Sequence, residues 1–413
     1  MKRNILLSLA LLLSITQTHA VPIEVLHWWT SGGEAKSIGQ LKTLLEKEGY
    51  TWKDFAVAGG AGENAMTVLK TRVVSGNPPA SAQIKGPAIQ EWAGMDVLAS
   101  LDDVAAKENW NKILPSVVQK TMQNKGHYVA VPVNVHRVNW LWVNPKIFEK
   151  AGATVPKNWD EFAVAAEKIQ KAGFIPVAHG GQAWQDATAF EAIALGIGGA
   201  DFYSKAFIKM DPAALDSPTM QKAFDTFRTY QKYTDKNNAG RDWNLATAMV
   251  LNGKAAMQIM GDWAKGEFTN ASKVAGKDFL CVPVPSTDQS YTFNIDSFVM
   301  FKGTADTKKA QDAMARLILT PDFQNTFNLN KGSIPVRTDM DKNKFDFCGK
   351  KSMEDFASTS KKGTLLPSMA HNMAVPSVSQ GAMFDVITNF FNSTQSSKDA
   401  SKALAAAVKA NKS

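Results

Sequence analysis

Hydrophobic positions near the start of the chain switch between the two periods that distinguish strands from helices. Apolar residues alternate or run together over 23–26, 51–57 and 81–85, as is typical of strands. Between these segments, apolar side chains such as Ile38, Leu41 and Leu45 recur at helical spacing, and a second helix is predicted over 63–74. The order strand, helix, strand, helix, strand predicts an α/β fold that begins with a parallel sheet.

The rest of the chain predicts more helices than strands. The pattern of predicted elements changes at two places. Further extended segments are predicted over 128–134, 135–143, 174–178, 255–260, 281–286 and 291–301. Helices are predicted over 145–151, 158–169, 190–196, 219–233, 243–251, 307–319, 321–329, 350–361, 380–392 and 397–410. The changes near 134–139 and 285–291 are interpreted as crossings between two lobes. A chain of 413 residues with 45% hydrophobic content can bury more than one core.

The first twenty residues predict an export signal. Lys2 and Arg3 precede an apolar run over 5–13, and Thr18-His19-Ala20 resembles a cleavage site. The run is too short to span a bilayer, and no cysteine near the cleavage site could carry a lipid anchor. We therefore expect a secreted, periplasmic protein that is not lipid-anchored. The two cysteines, Cys281 and Cys348, could form a disulfide in that compartment or remain buried thiols.

Charge and motif content exclude several classes of function. The net charge of +8 falls to +6 without Lys2 and Arg3, and the lysines are scattered, so a nucleic-acid partner is not expected. The histidines and cysteines lack metal-ligand spacing, and no Gly-x-Ser-x-Gly motif is present. A glycosidase needs two carboxylates, and Glu34 with Asp296 could supply them, so this alternative stays open.

Candidate binding groups follow the first and third predicted strands. Trp28, Trp29 and Glu34 come directly after the first strand, and Lys85 ends the third. Ligands of open α/β sheets bind beyond the carboxyl ends of the strands, and flat rings with polar neighbours suit a sugar. Alternatively, one tryptophan points into the core and Lys85 is merely solvated.

Motifs spread over nearly the whole exported chain point to one family. They lie at 126–132 (Gly-His-Tyr-Val-Ala-Val-Pro), 142–152, 156–162, 252–257 and 332–337. Together they resemble the extracellular solute-binding proteins of ABC sugar importers, the family that includes maltose-binding protein. The resemblance implies a type II fold of two hinge-linked α/β lobes, a ligand cleft between them and delivery of a sugar to a membrane permease. It implies no enzymatic activity, no cofactor and no metal.

A closer resemblance is to the glucose-binding members of that family, through Trp28-Trp29-Thr-Ser-Gly-Gly-Glu34, Gln83-Ile-Lys85-Gly86, Arg241-Asp-Trp243, Gly261-Asp-Trp263, Asn294-Ile-Asp296-Ser297, Lys331-Gly332 and His371. It implies that the ligand-binding residues are Trp28, Trp29, Glu34, Gln83, Lys85, Trp243, Trp263, Asp296, Lys331 and His371. The tryptophans would face the sugar ring, the carboxylates would accept hydrogen bonds, and the lysines and histidine would donate them. A monomer that binds glucose is expected.

The resemblance and the crossings together set expected boundaries. The N-terminal lobe is expected to comprise 21–134 and 291–337, and the C-terminal lobe 139–285 and 345–413, with hinge crossings near 135–138, 286–290 and 338–344. Another ligand within the family, such as mannose, galactose or an oligosaccharide, remains an alternative. A secreted glycosidase and a structural protein of the cell envelope are the alternatives from other classes.

Overall fold

The computed structural model describes residues 21–411, so the predicted targeting segment, residues 1–20, lies outside the described residues. The strands are β1 (Pro22–His27), β2 (Thr51–Ala56), β3 (Ser81–Ile84), β4 (Gln123–Asn124), β5 (His127–Tyr128), β6 (Ala130–Arg137), β7 (Trp140–Val143), β8 (Ile175–Val177), β9 (Ala255–Ile259), β10 (Leu280–Pro283), β11 (Tyr291–Met300), β12 (Ile334–Pro335) and β13 (Leu365–Pro367).

The α-helices lie between these strands or after the last of them. They are α1 (Gly32–Lys47), α2 (Glu63–Val74), α3 (Pro87–Gly94), α4 (Asp102–Lys107), α5 (Trp110–Ile113), α6 (Ser116–Met122), α7 (Pro145–Lys150), α8 (Trp159–Lys171), α9 (Ala183–Tyr203), α10 (Pro212–Leu215), α11 (Pro218–Lys232), α12 (Trp243–Leu251), α13 (Ala264–Asn270), α14 (Ala305–Ile318), α15 (Pro321–Lys331), α16 (Phe347–Lys362), α17 (Ser377–Phe391) and α18 (Ser397–Ala410).

The first sheet contains the three predicted N-terminal strands and is mixed rather than wholly parallel. Its order is β12-β6-β11-β3-β1-β2, and β13 also pairs with β11. β1 pairs in parallel with β2 and β3, whereas β11 runs antiparallel to β3 and β6. The antiparallel strands are those at which the chain leaves the first sheet and returns to it. Ile23, Leu26, Ile84, Ile295 and Phe298 are among the buried residues of this core.

The second sheet is smaller, and helices form most of its lobe. Its order is β10-β7-β9-β8, with β8 parallel and β7 antiparallel to β9. The helices α9, α11, α17 and α18 pack on one another. At their centre the Phe190 ring lies 4.4 Å from Phe224 and 5.3 Å from Phe227, measured between centroids. These buried rings form a second core that is separate from the first.

The chain passes between the two cores before β7, again before β11, and a third time in the segment that follows β12. It passes from β6 to β7 over Val138 and Asn139, and from β10 to β11 over 284–290. The segment 345–413 was expected to lie wholly in the second lobe. However, β13 pairs in parallel with β11, and Met353 and Phe356 of α16 pack against the first core. Cys348 of α16 and Leu366 of β13 are nevertheless buried in the second core, so this segment contacts both cores before Met369 and Ala370 follow in the second.

The disulfide that the sequence left open is present. Cys281 of β10 is bonded to Cys348 of α16, with their Cα atoms 6.0 Å apart and 67 positions apart in sequence. The bond therefore joins a strand of the second sheet to the start of a helix whose later residues, Met353 and Phe356, pack against the first core. Among residues 21–411, no helix is both long and apolar enough to cross a bilayer.

Candidate functional site

A cavity of about 470 Å³ lies where the two cores meet, and residues of both line it. Every predicted site residue lines this cavity except Gln83. Gln83 is fully buried in β3, and its Oε1 accepts a hydrogen bond from the Trp28 backbone N–H at 3.3 Å. Gln83 therefore positions the chain after β1 instead of facing the cavity.

Glu34 and Lys331 form a buried ion pair on one side of the cavity. Lys331 Nζ donates to Glu34 Oε1 at 2.7 Å, and Glu34 Oε2 accepts from the Thr30 and Ser31 N–H groups at 3.2 and 3.3 Å. Glu34 stands in the first turn of α1 and Lys331 in the last turn of α15, where the helix dipoles favour a negative and a positive charge respectively. The pair is thus held by the fold before any ligand arrives.

The two adjacent tryptophans at the end of β1 have different surroundings. Trp29 is buried among Phe298 and Phe327, with ring centroids 5.7 and 5.3 Å away, so it belongs to the first core as well as to the cavity wall. Trp28 is only partly buried, and Lys85 Nζ lies 5.1 Å from its ring centroid. Of the two, Trp28 offers the more open face to a ligand.

Lys85 is a second buried cation in the cavity. Its Nζ donates to the Ala61 carbonyl oxygen at 3.4 Å. Burial lowers the pKa of Lys85, and the nearby Asp296 carboxylate partly offsets that effect. With only one weak hydrogen bond to the protein, the Lys85 ammonium has donors left for a ligand.

Asp296 is held by a histidine that sequence analysis did not single out. His136 of β6 binds Asp296 Oδ2 through Nε2 at 2.9 Å and Asp262 Oδ1 through Nδ1. Burial opposes the charged imidazole, but the two carboxylates outweigh it and raise the pKa of His136. The same contact keeps the pKa of Asp296 well below its usual range, against the effect of burial, so its carboxylate is ionised and accepts hydrogen bonds only.

Aromatic rings form another part of the cavity wall. The Trp263 ring lies 4.8 Å from the His371 ring and 5.1 Å from the His136 ring, and Trp184 lies 6.3 Å from Trp263. Trp243, at the start of α12, is half-buried beside this wall and also lines the cavity. Flat aromatic faces next to charged groups suit a ligand with one apolar and one polar side.

His371 has a different hydrogen-bonding role from the one expected. The Thr188 hydroxyl donates to the Trp184 carbonyl at 2.7 Å, so it accepts from His371 Nε2–H at 3.0 Å. Burial, strengthened by Lys85, lowers the pKa of His371 well below its ordinary value and keeps the ring neutral. Its remaining nitrogen, Nδ1, is then an acceptor, whereas the sequence predicted a donor.

Sequence reasoning missed several residues of the cavity wall, including His136, Gln182, Trp184 and Asn294. Asn294 could have been found, because it lies two residues before Asp296 on the same face of β11. Its Oδ1 has no partner among the described residues and is free for a ligand. His136 and Trp184 carry no comparable signal, since only the tertiary packing brings them to the cavity.

Within residues 21–411, no cluster of three or more metal-ligating side chains is arranged to hold a metal ion.

Comparison with known proteins agrees with this architecture. Residues 35–318 match the family model described as bacterial extracellular solute-binding protein. A probable sugar-binding periplasmic protein of Brucella suis biovar 1 is 50% identical over 390 residues, which cover 94% of this chain and 92% of the relative. One of Rhizobium meliloti with the same description is 49% identical over 404 residues, covering 98% and 97%.

Solved structures with the same fold include sugar receptors. The solute receptor AcbH, described as having an exclusive preference for β-D-galactopyranose, superposes with a TM-score of 0.79 at 19% identity, covering 94% of this chain and 99% of that one. Maltose-bound MalE3 of T. maritima gives 0.77 at 17% identity, covering 95% and 100%. The match to the family model and the identity to the Brucella and Rhizobium proteins show that this chain belongs to the bacterial extracellular solute-binding protein family, whose members are transport receptors rather than enzymes.

Proposed function

We propose that this protein is the periplasmic sugar-binding component of an ABC-type importer and that its ligand is a monosaccharide, with glucose as the first choice. The observation that carries the proposal is the chemistry of the cavity between the cores. Ammonium donors, carboxylate acceptors and an aromatic wall line it together. A sugar offers the matching surfaces, because each hydroxyl both donates and accepts and the C–H face packs on aromatic rings.

The balance of charge favours a neutral ligand over an ion. Glu34 is paired with Lys331, and Asp296 with His136. Neither positive nor negative charge dominates the cavity wall, whereas a site for an anion or a cation would be lined mainly by charges of the opposite sign. Buried charged partners make strong hydrogen bonds and reject analogues that lack a hydroxyl.

The required affinity is physically reasonable for a ligand of this size. Micromolar binding needs about −8 kcal/mol. Over roughly a dozen heavy atoms of a hexose, this is about −0.7 kcal/mol per atom, which lies within the ceiling for small ligands. Groups from both cores line the cavity, so a bound sugar would favour a closed arrangement of the lobes that the permease could recognise.

The glycosidase alternative is disfavoured by the state of the carboxylates. A glycosidase needs one protonated carboxyl as a general acid. Asp296 is kept ionised by His136, and Glu34 is engaged by Lys331 and two backbone N–H groups. Incubation with chromogenic glycosides should therefore release no chromophore.

Titration of the purified protein with sugars, followed by tryptophan fluorescence and calorimetry, tests the proposal. D-glucose, D-galactose, D-mannose and maltose form the panel. We expect a saturable signal with glucose that is lost in Trp263→Ala and retained in Trp52→Phe, since Trp52 belongs to the first core and does not line the cavity. Saturation by another sugar instead would overturn glucose as the ligand. Calorimetric silence with every sugar would overturn sugar binding and favour a structural role in the cell envelope.

A further inference from the structure

A buried carboxyl group lies behind the ligand cavity, on the helix that faces the His371 turn. Glu191 belongs to α9 and is completely buried. Its Oε1 accepts from the Ser368 hydroxyl at 2.6 Å, and its Oε2 accepts from the Ala370 N–H at 3.1 Å and the Tyr203 hydroxyl at 2.9 Å. Glu191 itself does not line the cavity.

These partners all belong to, or contact, the short segment that carries His371. The Ser368 hydroxyl also accepts the His371 backbone N–H at 3.1 Å, so it links the Glu191 carboxyl to His371. The Tyr203 oxygen accepts from the Met369 N–H at 3.1 Å, and the Pro367 carbonyl, 3.0 Å away, shares the single hydroxyl hydrogen with Glu191. The carboxyl group of Glu191 thus organises the backbone from 367 to 371.

One face of α9 makes all of these contacts. Trp184, Thr188 and Glu191 are separated by four and then three positions, which places them on the same side of a helix. Trp184 packs its ring against His371, Thr188 binds the imidazole, and Glu191 binds the backbone on the N-terminal side of it. The helix α9 therefore sets both the position of the His371 ring and the position of the backbone that precedes it.

A carboxyl group at this position in a core lowers the stability of the fold unless its hydrogen bonds are satisfied. The hydrogen-bond partners of Glu191 are all uncharged, and burial raises its pKa to about 7. Burial of such a group costs free energy unless its hydrogen bonds are satisfied, and an apolar residue of similar size avoids that cost. What the carboxyl provides, and an apolar residue would not, is an acceptor for the Ser368 hydroxyl, the Ala370 N–H and the Tyr203 hydroxyl.

We propose that Glu191 is a positioning residue for ligand binding, which acts by holding the 367–371 segment so that the His371 imidazole stands in the wall of the cavity. The proposal deepens the sugar-binding function proposed above and rests on it. A side chain held in this way loses little conformational freedom when the ligand binds, which strengthens binding without any direct contact.

The test compares Glu191→Leu with Glu191→Gln by calorimetric titration with D-glucose. Leu removes all three hydrogen bonds, and we expect it to weaken binding by about tenfold or more. Gln can still accept from Ala370 and Tyr203 and donate to Ser368, so its affinity should stay within about threefold of wild type. Leu404→Ala is the matched control, because Leu404 is buried in α18 of the same core and takes part in none of these hydrogen bonds; it should lower thermal stability without changing affinity.

A double-mutant cycle shows whether Glu191 acts through His371. In the His371→Ala background, Glu191→Leu should cause no further loss of affinity, because the side chain that it positions is already absent. An equal loss in both backgrounds would overturn the proposal and indicate a general structural role. If Glu191→Leu does not fold, Tyr203→Phe and Ser368→Ala replace it, since each removes one hydroxyl of the network at little cost in volume.

A measurement without ligand separates this proposal from the proposed function. The imidazole NMR signals of His371 in the free protein should shift in Glu191→Leu and remain in place in Leu404→Ala. If wild type binds no sugar while the signals shift as expected, the sugar proposal fails and the positioning role stands. Unchanged His371 signals in Glu191→Leu would overturn the positioning role whether or not glucose binds.

Discussion

At the scale of single residues, the Glu34 and Asp296 carboxylates of the cavity are paired within the protein, and this pairing determines what remains for a ligand. Asp296 is held by His136, and Glu34 by Lys331, so the oxygens of both carboxylates are oriented before a sugar arrives. Lys85 is the less engaged cation. Preorganised charged partners lose little freedom on binding, which favours affinity for hydroxyl groups.

Replacement of Asp296 by Asn should weaken sugar binding strongly. The change removes a charged acceptor for the sugar hydroxyls, and a hydrogen bond to a charged group contributes about 1.5–3 kcal/mol. It also leaves the buried His136 without one of its two carboxylates, which lowers the stability of the free and the bound protein alike. Calorimetric titration measures the loss. Asp54→Asn is the control, because Asp54 binds His27 outside the cavity. Equal affinities of Asp296→Asn and wild type would contradict the assignment of Asp296 to the site.

The protonation of Glu191 predicts a pH dependence of stability. The pKa of this carboxyl is about 7 in the folded chain, against an ordinary value of 4.5, so the folded state binds the proton more tightly. Stability should therefore be greatest below about pH 4.5 for this group alone and fall as the pH rises through 7, by up to about 3 kcal/mol. Urea unfolding of wild type and Glu191→Gln at pH 5 and 8 measures this. The variant should lose less stability between the two values, and parallel losses would contradict the prediction.

At the scale of elements, tight turns at strand ends bring the site together. β9 ends at Ile259, and the turn to α13 carries Trp263 into the cavity wall and Asp262 to His136 behind it. The turn is so close that a Cβ atom on Gly261 would lie 2.1 Å from Cζ3 of Trp263. Only glycine leaves room for the tryptophan ring at this point.

Gly261→Ala should therefore displace Trp263 and reduce both sugar affinity and the fluorescence response. The added methyl group cannot coexist with the ring in its present position, and overpacking of this kind costs about 1–3 kcal/mol. Gly39→Ala, in α1, is the control, since a Cβ there would meet no atom within 4 Å. A Gly261→Ala protein with unchanged affinity would show that Trp263 is not needed where it stands.

At the scale of the whole molecule, the cavity depends on how the two cores are connected. The chain leaves the first sheet after β6 and returns at β11, and the Cys281–Cys348 disulfide adds a covalent connection near the second of these crossings. Neither cysteine lines the cavity. The disulfide therefore contributes to stability and to the relation of the lobes but not to ligand contact.

Removal of the disulfide in a Cys281→Ala, Cys348→Ala protein should lower the free energy of unfolding by about 2–5 kcal/mol, because the unfolded chain regains the freedom of a long loop. Sugar affinity should be nearly unchanged. Urea unfolding and calorimetry measure the two effects. Reduced wild type serves as the comparison, and a large loss of affinity with little loss of stability would contradict this division of roles.

Local patterns predicted many elements because each is encoded in a short run of sequence. The periodicities of β1, α1, β2, α2 and β3 identified the first α/β units, and those of α11, α14 and α18 the main helices of the later part. The short helices α3 to α6 and the β4-β5 hairpin were not predicted. They are too short to establish a period, and burial against the rest of the first core stabilises them instead.

The sequence by itself determined the α/β character, the balance of charges and, through the resemblance, nine of the residues that line the cavity. Only the tertiary structure decided which groups are hydrogen-bonded to each other and which of them line the cavity together. It placed Gln83 behind Trp28, joined Asp262, His136 and Asp296, and added β13 to the first sheet. The physical reason is the separation in sequence over which each interaction acts. Periodicity and capping act over a few residues, whereas the partners of a buried charge come from segments far apart in the chain and meet only when both cores have formed.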